Sequence, residues 1–228
     1  LRYRFLFEQA ALYKAQAVAV GHTADDQAET ILMNFLRGSG LNGLKGMLAR
    51  WLPNAWSADI PLVRPLLSAW RSDTEQYCQA HQIEYLQDAS NQDVHYRRNL
   101  LRHEVIPYLE QINPRLRPAL VRMSQVLHSD QQIVEQVVAS AWEQCVLEQQ
   151  ADWVVFDRQK VATQSPEVQR QLLRRAMALK SPGLREVDSD SVARALTCLD
   201  QPPRSGQCDL VGKMRMLVEA DRVWVADW

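Results

Sequence analysis

The feature that most constrains the fold is a short apolar run that leads directly into a turn and a capped helix, in the segment AQAVAVGHTADDQAETILMNFLRGSG. Residues 15–20 read AQAVAV, and a run of this length that ends at Gly21 is typical of a strand buried in a parallel sheet. Thr23 is a suitable N-cap for the helix that follows, and Gly38 and Gly40 can end it. A strand that feeds a helix through a tight turn predicts an α/β unit, whose ligands collect at the carboxyl ends of the strands.

The later elements indicate a change of architecture near the middle of the chain. IPLVRPLL and IEYLQD (residues 83–88) read as further strands, and SDTEQYCQAHQ reads as a helix opened by a capping box from Ser72 to Glu75. YRRNLLRHEVIPYLEQI predicts a helix that Pro107 kinks. A long amphipathic helix, the strand WVVFD, two shorter helices and a final hairpin follow. We therefore expect an α/β part before a boundary near residues 112–127, and a mixed, helix-rich part after it.

Composition bounds the class of protein without naming a function. The 228 residues are 46% hydrophobic, enough for one large domain or two modest ones, and the net charge of -1 excludes no partner because a local patch can still hold a polyanion. No apolar run approaches the length of about 20 residues that spans a bilayer, and the segment LRYRFLFEQAALYKAQ lacks the cleavage pattern of a signal peptide. The four cysteines form no Cys-x-x-Cys pair, so they read as reduced thiols of a cytoplasmic protein: Cys78, Cys145, Cys198 and Cys208.

The acidic residues at the start of the predicted helix differ in where they point. The apolar stripe of this helix places Asp26 nearly opposite the buried face, with Glu29 on the same side three residues later. His22 lies just before them at the end of the strand, whereas Asp25 lies near the edge of the stripe and is better placed to support the turn. Two carboxylates near a histidine suit a magnesium ion that carries nucleotide phosphates, or the capture of a cationic substrate. Acidic residues that only complement the helix dipole are the alternative for each residue taken alone.

Arg98 and Arg102 lie four residues apart on one helical face near a predicted helix start. Cations there oppose the helix dipole, which is easier to understand if an anion such as ATP phosphate or the RNA backbone lies close by. A solvated basic face paired with Glu104 or Asp93 is an equally good alternative from the residues alone. Three further basic residues extend the positively charged surface on which RNA could bind, namely Arg115, Arg117 and Arg122. A charged helix face that only contacts water explains them equally well.

GHTADDQAETILMNFLRGSG resembles a conserved block of the bacterial tRNA(Ile)-lysidine synthases, in the PP-loop ATP pyrophosphatase superfamily. The resemblance continues through RPLL (residues 64–67), DASN (residues 88–91) and YRRNLLRHEVIPYLEQINP (residues 96–114), and is looser in the second half of the chain. It implies that residues 1–112 are the C-terminal part of a Rossmann-like, parallel-sheet PP-loop domain. It further implies that residues 113–228 are a helical linker and a helix-rich α+β domain that binds tRNA.

The activity that this resemblance implies is ATP-dependent ligation of lysine to tRNA. These enzymes adenylate the wobble cytidine of the isoleucine tRNA with the anticodon CAU, and free lysine then displaces AMP to form lysidine. The implied partners are this tRNA, L-lysine, ATP and Mg²⁺, in the cytoplasm and with no membrane; a homodimer is left open.

The resemblance also implies roles for individual residues. His22 and Arg98 would contact the nucleotide, and Asp26 would help to hold magnesium. Glu29 would bind lysine, and Asn99 and Arg102 would bind substrate as parts of an Arg-Asn-x-x-Arg block. The implied catalytic set is His22, Asp26, Glu29, Arg98 and Arg102.

One motif of the superfamily is absent from the sequence. A PP-loop enzyme needs a Ser-Gly-Gly-x-Asp-Ser loop to hold pyrophosphate, and RGSGLNG is not a substitute because it follows a helix instead of preceding one. In the family this loop precedes the block at which the chain starts, and the chain begins with Leu1. We therefore expect the chain to be a fragment that lacks the front of its catalytic domain and is inactive alone.

Three alternatives stay open on sequence grounds. A PP-loop tRNA thiolation enzyme has a similar histidine–aspartate block, but those that modify cytidine pair it with Cys-x-x-Cys cysteines. A non-catalytic RNA-binding module would bind tRNA regardless of changes at Asp26 and Glu29. A small-molecule amidotransferase or synthetase of the same superfamily would turn over ATP without responding to tRNA.

Overall fold

The computed structural model describes residues 1–86, 97–150, 152–180, 187, 189–201 and 206–227. The chain divides into two compact units, residues 1–131 and 132–228. The boundary between them falls inside one long helix, after residue 131. The assignment of residues 1–112 to ATP binding and of residues 113–228 to tRNA binding stays a prediction.

The first unit is built on a small mixed sheet of three strands. Its elements are, in order, α1 (Arg2–Leu12), β1 (Val18–Ala19), α2 (Ala24–Leu36), α3 (Leu41–Leu44), β2 (Arg50–Trp51), β3 (Leu62–Val63) and α4 (Arg71–Ala80). Strand β3 lies in the centre, parallel to β1 and antiparallel to β2. The parallel β1–β3 pair confirms the predicted α/β unit, while the antiparallel strand β2 was not predicted.

A helical segment after residue 96 completes the first unit. It consists of α5 (Arg97–Leu100), a π-helical turn (Leu101–Val105) and α6 (Ile106–Ile112), and α7 (Leu116–Cys145) follows. The wide turn lies just before Pro107, whose ring cannot donate a hydrogen bond and would clash with the preceding turn of a regular α-helix. The predicted kink at this proline is therefore realised as a π-helical turn.

Two small cores hold the first unit together. One lies between α1 and the sheet and contains Phe7, Val18 and Leu62. The other joins α2 to the helical segment through Leu32, Leu101 and Ile106. Because the second core fixes the π-helical turn and α6 against α2, it also decides which polar side chains of α2 and of the helical segment meet.

Two local predictions for the first unit differ from the structure. Helix α4 begins at Arg71, one residue before the predicted cap at Ser72, and the carboxylate of Asp73 accepts a hydrogen bond from Trp70 N at 2.8 Å. The predicted strand at residues 83–88 is not formed by residues 83–86, which adopt no regular structure. The remainder of that strand and the DASN block lie outside the described residues.

The second unit packs helices on a five-stranded antiparallel sheet in the order β4-β5-β8-β7-β6. The strands are β4 (Val146–Gln149), β5 (Trp153–Asp157), β6 (Gly206–Leu210), β7 (Met214–Val218) and β8 (Arg222–Asp227), and the helices are α8 (Arg158–Ala162), α9 (Pro166–Lys180) and α10 (Ser189–Leu199). Residues of α9, α10 and the sheet share one apolar core. The predicted strand WVVFD and the predicted final hairpin are confirmed, as is the mixed α/β class. Among the described residues, no helix has the length and apolarity to cross a membrane.

Candidate active site

A polar cavity of about 550 Å³ lies at the carboxyl end of β1, where the sequence predicts a ligand site. Five of the six predicted site residues line it, namely His22, Asp26, Arg98, Asn99 and Arg102. Glu29, the sixth, does not line the cavity but lies beneath it, with 2% of its surface exposed. Sequence periodicity placed Glu29 away from the apolar stripe of its helix; it is buried nevertheless, because α5 and the π-helical turn cover that side.

The start of α2 fixes Asp26 in a single orientation. Thr23 is the N-cap residue, as predicted, and the Asp26 carboxylate accepts hydrogen bonds from the Thr23 main-chain N at 2.8 Å and from its hydroxyl at 3.1 Å. At the other end of the helix Gly38 takes a φ of +73°, which lets the chain turn away after Leu36. Local sequence therefore determines the position of Asp26.

Glu29 is held by two arginines that lie about seventy residues later in the chain. Arg102 donates from Nε to Glu29 Oε1 at 2.5 Å and from Nη2 to Oε2 at 3.0 Å, which is a two-point pair. Arg98 donates from Nε to Glu29 Oε2 at 2.7 Å. Both oxygens of the buried carboxylate are therefore satisfied by guanidinium groups.

The same two arginines also reach Asp26. Its Oδ1 accepts from Arg98 Nη2 at 3.0 Å and from Arg102 Nη2 at 3.2 Å. We call these four side chains, Asp26, Glu29, Arg98 and Arg102, the ion quartet. Its formal charges cancel, so the anion that was expected near the arginines is supplied within the chain by α2. Neither Glu104 nor an external anion is needed to account for their positions, and Asp93 lies outside the described residues.

The contacts of Asp26 do not fit the expected magnesium ligand. Burial raises the pKa of Asp26, but the hydrogen bond from the Thr23 main chain and the charge of Arg98 outweigh it, so the pKa lies below its ordinary value. The carboxylate is therefore ionised, yet both oxygens already accept from donors, two of them cationic. Among the described residues no group of three or more His, Cys, Asp or Glu side chains is arranged to hold a metal ion.

His22 is held by Arg64, for which no role was predicted from the sequence pattern. Arg64 follows β3, and its Nε donates to His22 Nδ1 at 3.2 Å. Burial lowers the pKa of His22, the charges of Arg64 and Arg98 lower it further, and Asp26 offsets this only in part. His22 is therefore neutral near pH 7. The signal in the sequence was positional: His22 and Arg64 follow two parallel strands, whose carboxyl ends meet at one edge of a sheet.

Asp25 supports the fold, as its position near the apolar stripe suggested. Its Oδ2 accepts from Arg71 N at 2.8 Å at the start of α4, and its Oδ1 accepts from Arg117 Nη1 at 3.0 Å on α7. Arg117 also pairs with Glu110 at 3.3 Å, which accounts for this arginine without a nucleic acid. Arg115 and Arg122 are exposed, and their part in a basic track stays a prediction.

The charge of the cavity favours an anionic ligand. Asp26 is the single carboxylate among the described residues that line it. Four arginines line it as well: Arg2, Arg71, Arg98 and Arg102. Arg98 and Arg102 are balanced by Asp26 and Glu29 within the ion quartet, so the surplus of positive charge at the cavity comes from Arg2 and from Arg71, which also pairs with Glu75 at 3.3 Å. Guanidinium groups are well suited to bind phosphate or carboxylate oxygens in pairs.

Comparison with known proteins places the chain in a family. A model of the PP-loop domain matches residues 1–109. The tRNA(Ile)-lysidine synthase of Gloeobacter violaceus is 34% identical over 226 residues, which is 98% of this chain and 66% of that protein. The enzyme of the same name from Nostoc sp. PCC 7120 is 34% identical over 223 residues, 91% of this chain and 63% of that protein. A third, from Synechococcus sp. JA-2-3B'a(2-13), is 43% identical over 145 residues, 63% of this chain and 44% of that protein.

The similarity to solved structures is weaker. The U34-tRNA thiolase NcsA of Methanococcus maripaludis, solved with its [4Fe-4S] cluster, has a TM-score of 0.41 and 19% identity, over 56% of this chain and 41% of that chain. The chain itself spans between 44% and 66% of the length of the three relatives named above. The family match and these relatives lead to one conclusion: residues 1–109 are a PP-loop domain, in a chain related over most of its length to the tRNA(Ile)-lysidine synthases.

Proposed function

We propose that the whole protein is an ATP-dependent tRNA(Ile)-lysidine synthase. ATP adenylates the ring carbonyl oxygen of the wobble cytidine in the isoleucine tRNA with anticodon CAU, and pyrophosphate leaves. The ε-amino group of free lysine then attacks that ring carbon and AMP leaves with the oxygen, which gives lysidine. The observation that carries the proposal is the ion quartet beneath an arginine-lined cavity at the carboxyl end of β1, in a chain related to enzymes of that name.

The rim of the cavity suits the nucleotide. A bound ATP or an adenylated base presents phosphate oxygens, and these need hydrogen-bond donors and positive charge. Arg98 supplies charge, and neutral His22 supplies a donor if its free proton is on Nε2. Both residues line the cavity, which supports their roles as nucleotide contacts.

The ion quartet suits a zwitterionic amino acid. Glu29 is buried and already accepts three hydrogen bonds from the two arginines, so a lysine cation cannot simply be added to the site without unbalancing its charge. We propose an exchange, in which the lysine carboxylate takes the guanidinium group of Arg102 and a lysine ammonium takes the carboxylate oxygens that Arg102 releases, while Arg98 faces the nucleotide. Asn99 lines the same cavity and would contact the substrate at its rim. Because each ion pair that breaks is replaced by another, no charged group of the site is left without a partner, which limits the desolvation cost.

Magnesium enters the proposal only as the companion of the nucleotide phosphates, whose charge it neutralises. The contacts of Asp26 favour a different role for this residue, in which it holds Arg98 and Arg102 in reach of substrate. A direct Asp26–metal bond would require at least one of these arginines to leave.

The remaining partners follow from the same proposal. The substrates are the CAU-anticodon isoleucine tRNA, L-lysine and ATP, which places the protein in the cytoplasm; a homodimer stays a prediction. Residues 1–228 contain no Ser-Gly-Gly-x-Asp-Ser loop, so the activity is proposed for the full-length protein, and we expect the 228-residue chain alone not to form the adenylate.

Labelled lysine tests the proposed reaction. Full-length protein is mixed with ATP, Mg²⁺, radiolabelled lysine and either the CAU-anticodon isoleucine tRNA or the elongator methionine tRNA, which shares the CAU anticodon. Label in the isoleucine tRNA alone supports both the reaction and its discrimination. ATP-dependent change of another tRNA or of a small molecule, without lysine transfer, would keep the superfamily and exclude lysidine synthesis.

A further inference from the structure

Arg64 is a buried cation that lies behind the candidate active site and outside its lining. It is 7% exposed, although it carries a charge, and it follows directly on the central strand β3. Its main-chain N donates to Ala49 O at 2.8 Å, and its Nη1 donates to Leu48 O at 2.7 Å. The guanidinium is therefore anchored to the chain segment that precedes β2, and its Nε is left pointing at His22 Nδ1.

The chemistry of this contact decides where the His22 proton lies. A guanidinium group only donates hydrogen bonds and does not lose its proton in proteins. His22 Nδ1 must therefore accept, so a neutral His22 carries its proton on Nε2. Because His22 lines the cavity and Arg64 does not, Nε2 is the ring nitrogen left for a ligand there.

The charges around His22 favour the same state. Four charged groups act on its ring: Asp26 on α2, Arg98 on α5, Arg2 on α1 and Arg64 after β3. Asp26 alone favours the imidazolium form, and it is itself neutralised by Arg98 and Arg102. The three arginines and the partial burial of the ring lower the pKa of His22.

We propose that Arg64 is a positioning residue, which holds His22 as the neutral Nε2–H tautomer so that His22 donates a hydrogen bond into the cavity and does not act as a base. The bound acceptor is a phosphate oxygen of the nucleotide, and this part rests on the proposed function. The tautomer itself does not rest on it, because it is a property of the free chain. A histidine that accepts a proton during the reaction would need the opposite arrangement, with a free lone pair facing the ligand.

Ring nitrogen NMR on the 228-residue chain tests the tautomer directly. Long-range ¹H–¹⁵N spectra distinguish the two tautomers and the imidazolium form, and loss of one signal set in His22→Gln assigns His22 among the five histidines. We expect the Nε2–H form near pH 7, and protonation below the ordinary pKa of 6.5. An Nδ1–H form, or an imidazolium at neutral pH, would overturn the proposal without any variant of Arg64.

The variant Arg64→Met tests whether Arg64 is the cause. We expect mixed tautomers in this variant and a His22 pKa that moves up towards 6.5. The matched control is Arg50→Met, which removes an exposed arginine from the neighbouring strand β2 and should leave the His22 signals unchanged. An unchanged Nε2–H tautomer in a folded Arg64→Met chain would contradict the proposal.

A pair of His22 variants links the tautomer to the reaction in full-length protein. The amide nitrogen of glutamine reaches roughly as far as Nε2, whereas that of asparagine reaches roughly as far as Nδ1. His22→Gln should therefore keep more tRNA-dependent AMP formation than His22→Asn. Equal loss in both variants, with the Nε2–H tautomer established by NMR, would reject the donor role but keep the positioning role of Arg64. Absence of AMP formation in the wild type would instead reject the proposed function.

Discussion

Arg102 holds Glu29 by two parallel hydrogen bonds, from Nε at 2.5 Å and from Nη2 at 3.0 Å, although 73 residues separate them in the chain. The carboxylate is almost completely buried, whereas the side chain of Arg102 keeps 20% of its surface exposed. The pair therefore connects the interior of the first unit with the floor of the cavity. Water cannot reach the Glu29 carboxylate. A ligand that draws Arg102 away from it must therefore supply a positive charge to Glu29 in place of Arg102.

The burial of Glu29 predicts a large stability cost for a neutral replacement. Glu29→Gln keeps the shape but turns an amide towards the arginine donors, which should lower the free energy of unfolding by about 2 kcal/mol. Glu8→Gln is the matched control, because Glu8 also accepts from an arginine, Arg4, but 57% of its side chain is exposed. That change should cost less than about 0.5 kcal/mol. Urea unfolding followed by tryptophan fluorescence measures both values, and equal costs would contradict the buried-pair account.

The pKa of Asp26 predicts how stability depends on pH. Because this pKa is lowered from 3.8 in the folded chain, the stabilisation from Asp26 is present above pH 3.8 and is lost as the pH falls through the folded value. The difference in unfolding free energy between wild type and Asp26→Asn should therefore be constant at higher pH and shrink in acid. Asp59→Asn, at an exposed aspartate, controls for the loss of a negative charge. A difference that stays constant down to pH 2 would contradict the lowered pKa.

Replacement of Gly46 by alanine should lower the stability of the chain, because Gly46 lies against the side chain of Gln27. The buried Gln27 amide accepts from Met47 N at 2.8 Å and donates to Met47 O and to Ser124 Oγ, both at 3.1 Å. A Cβ on Gly46 would lie 2.6 Å from Gln27 Nε2, so alanine must break this set of bonds.

Gly38 provides the matched control for that effect. Both glycines have a positive φ, +68° for Gly46 and +73° for Gly38, but a Cβ on Gly38 meets no atom within 4 Å. Gly38→Ala should therefore show the backbone cost alone, about 1 kcal/mol, and Gly46→Ala about 2 kcal/mol more. Thermal or urea unfolding of both variants measures the difference, and similar costs would show that the Gln27 contacts contribute little.

Local patterns were sufficient to predict the start of the site. The strand at β1, the Thr23 cap and the placement of His22 and Asp26 at the strand's carboxyl end depend on neighbours in sequence, and periodicity reports such neighbours. The sequence also selected Arg98 and Arg102 as site residues. It could not pair them with Asp26 and Glu29, because those contacts span 69 to 76 residues and depend on how the helical segment that starts at α5 packs on α2.

The same limit explains the predictions that the structure corrects. Ser72 and Glu75 form a good local capping pattern, but the N-cap of α4 lies two residues earlier, at Trp70, and Asp25 accepts from the main-chain N of Arg71. Arg64 received no role because a lone arginine after a short strand carries no local signal. Its function depends on the neighbouring strand, which brings His22 within 3.2 Å.

The lysine dependence of Glu29→Gln in full-length protein tests the central claim, that the ion quartet is the lysine site. Lysine transfer to the isoleucine tRNA is measured over a range of lysine concentrations, with tRNA-dependent pyrophosphate release from the same samples as the internal control and Glu8→Gln as the matched variant. The account predicts a KM for lysine raised by at least about tenfold, equivalent to about 1.4 kcal/mol, while pyrophosphate is still released. An unchanged KM for lysine, with pyrophosphate release lost instead, would contradict it.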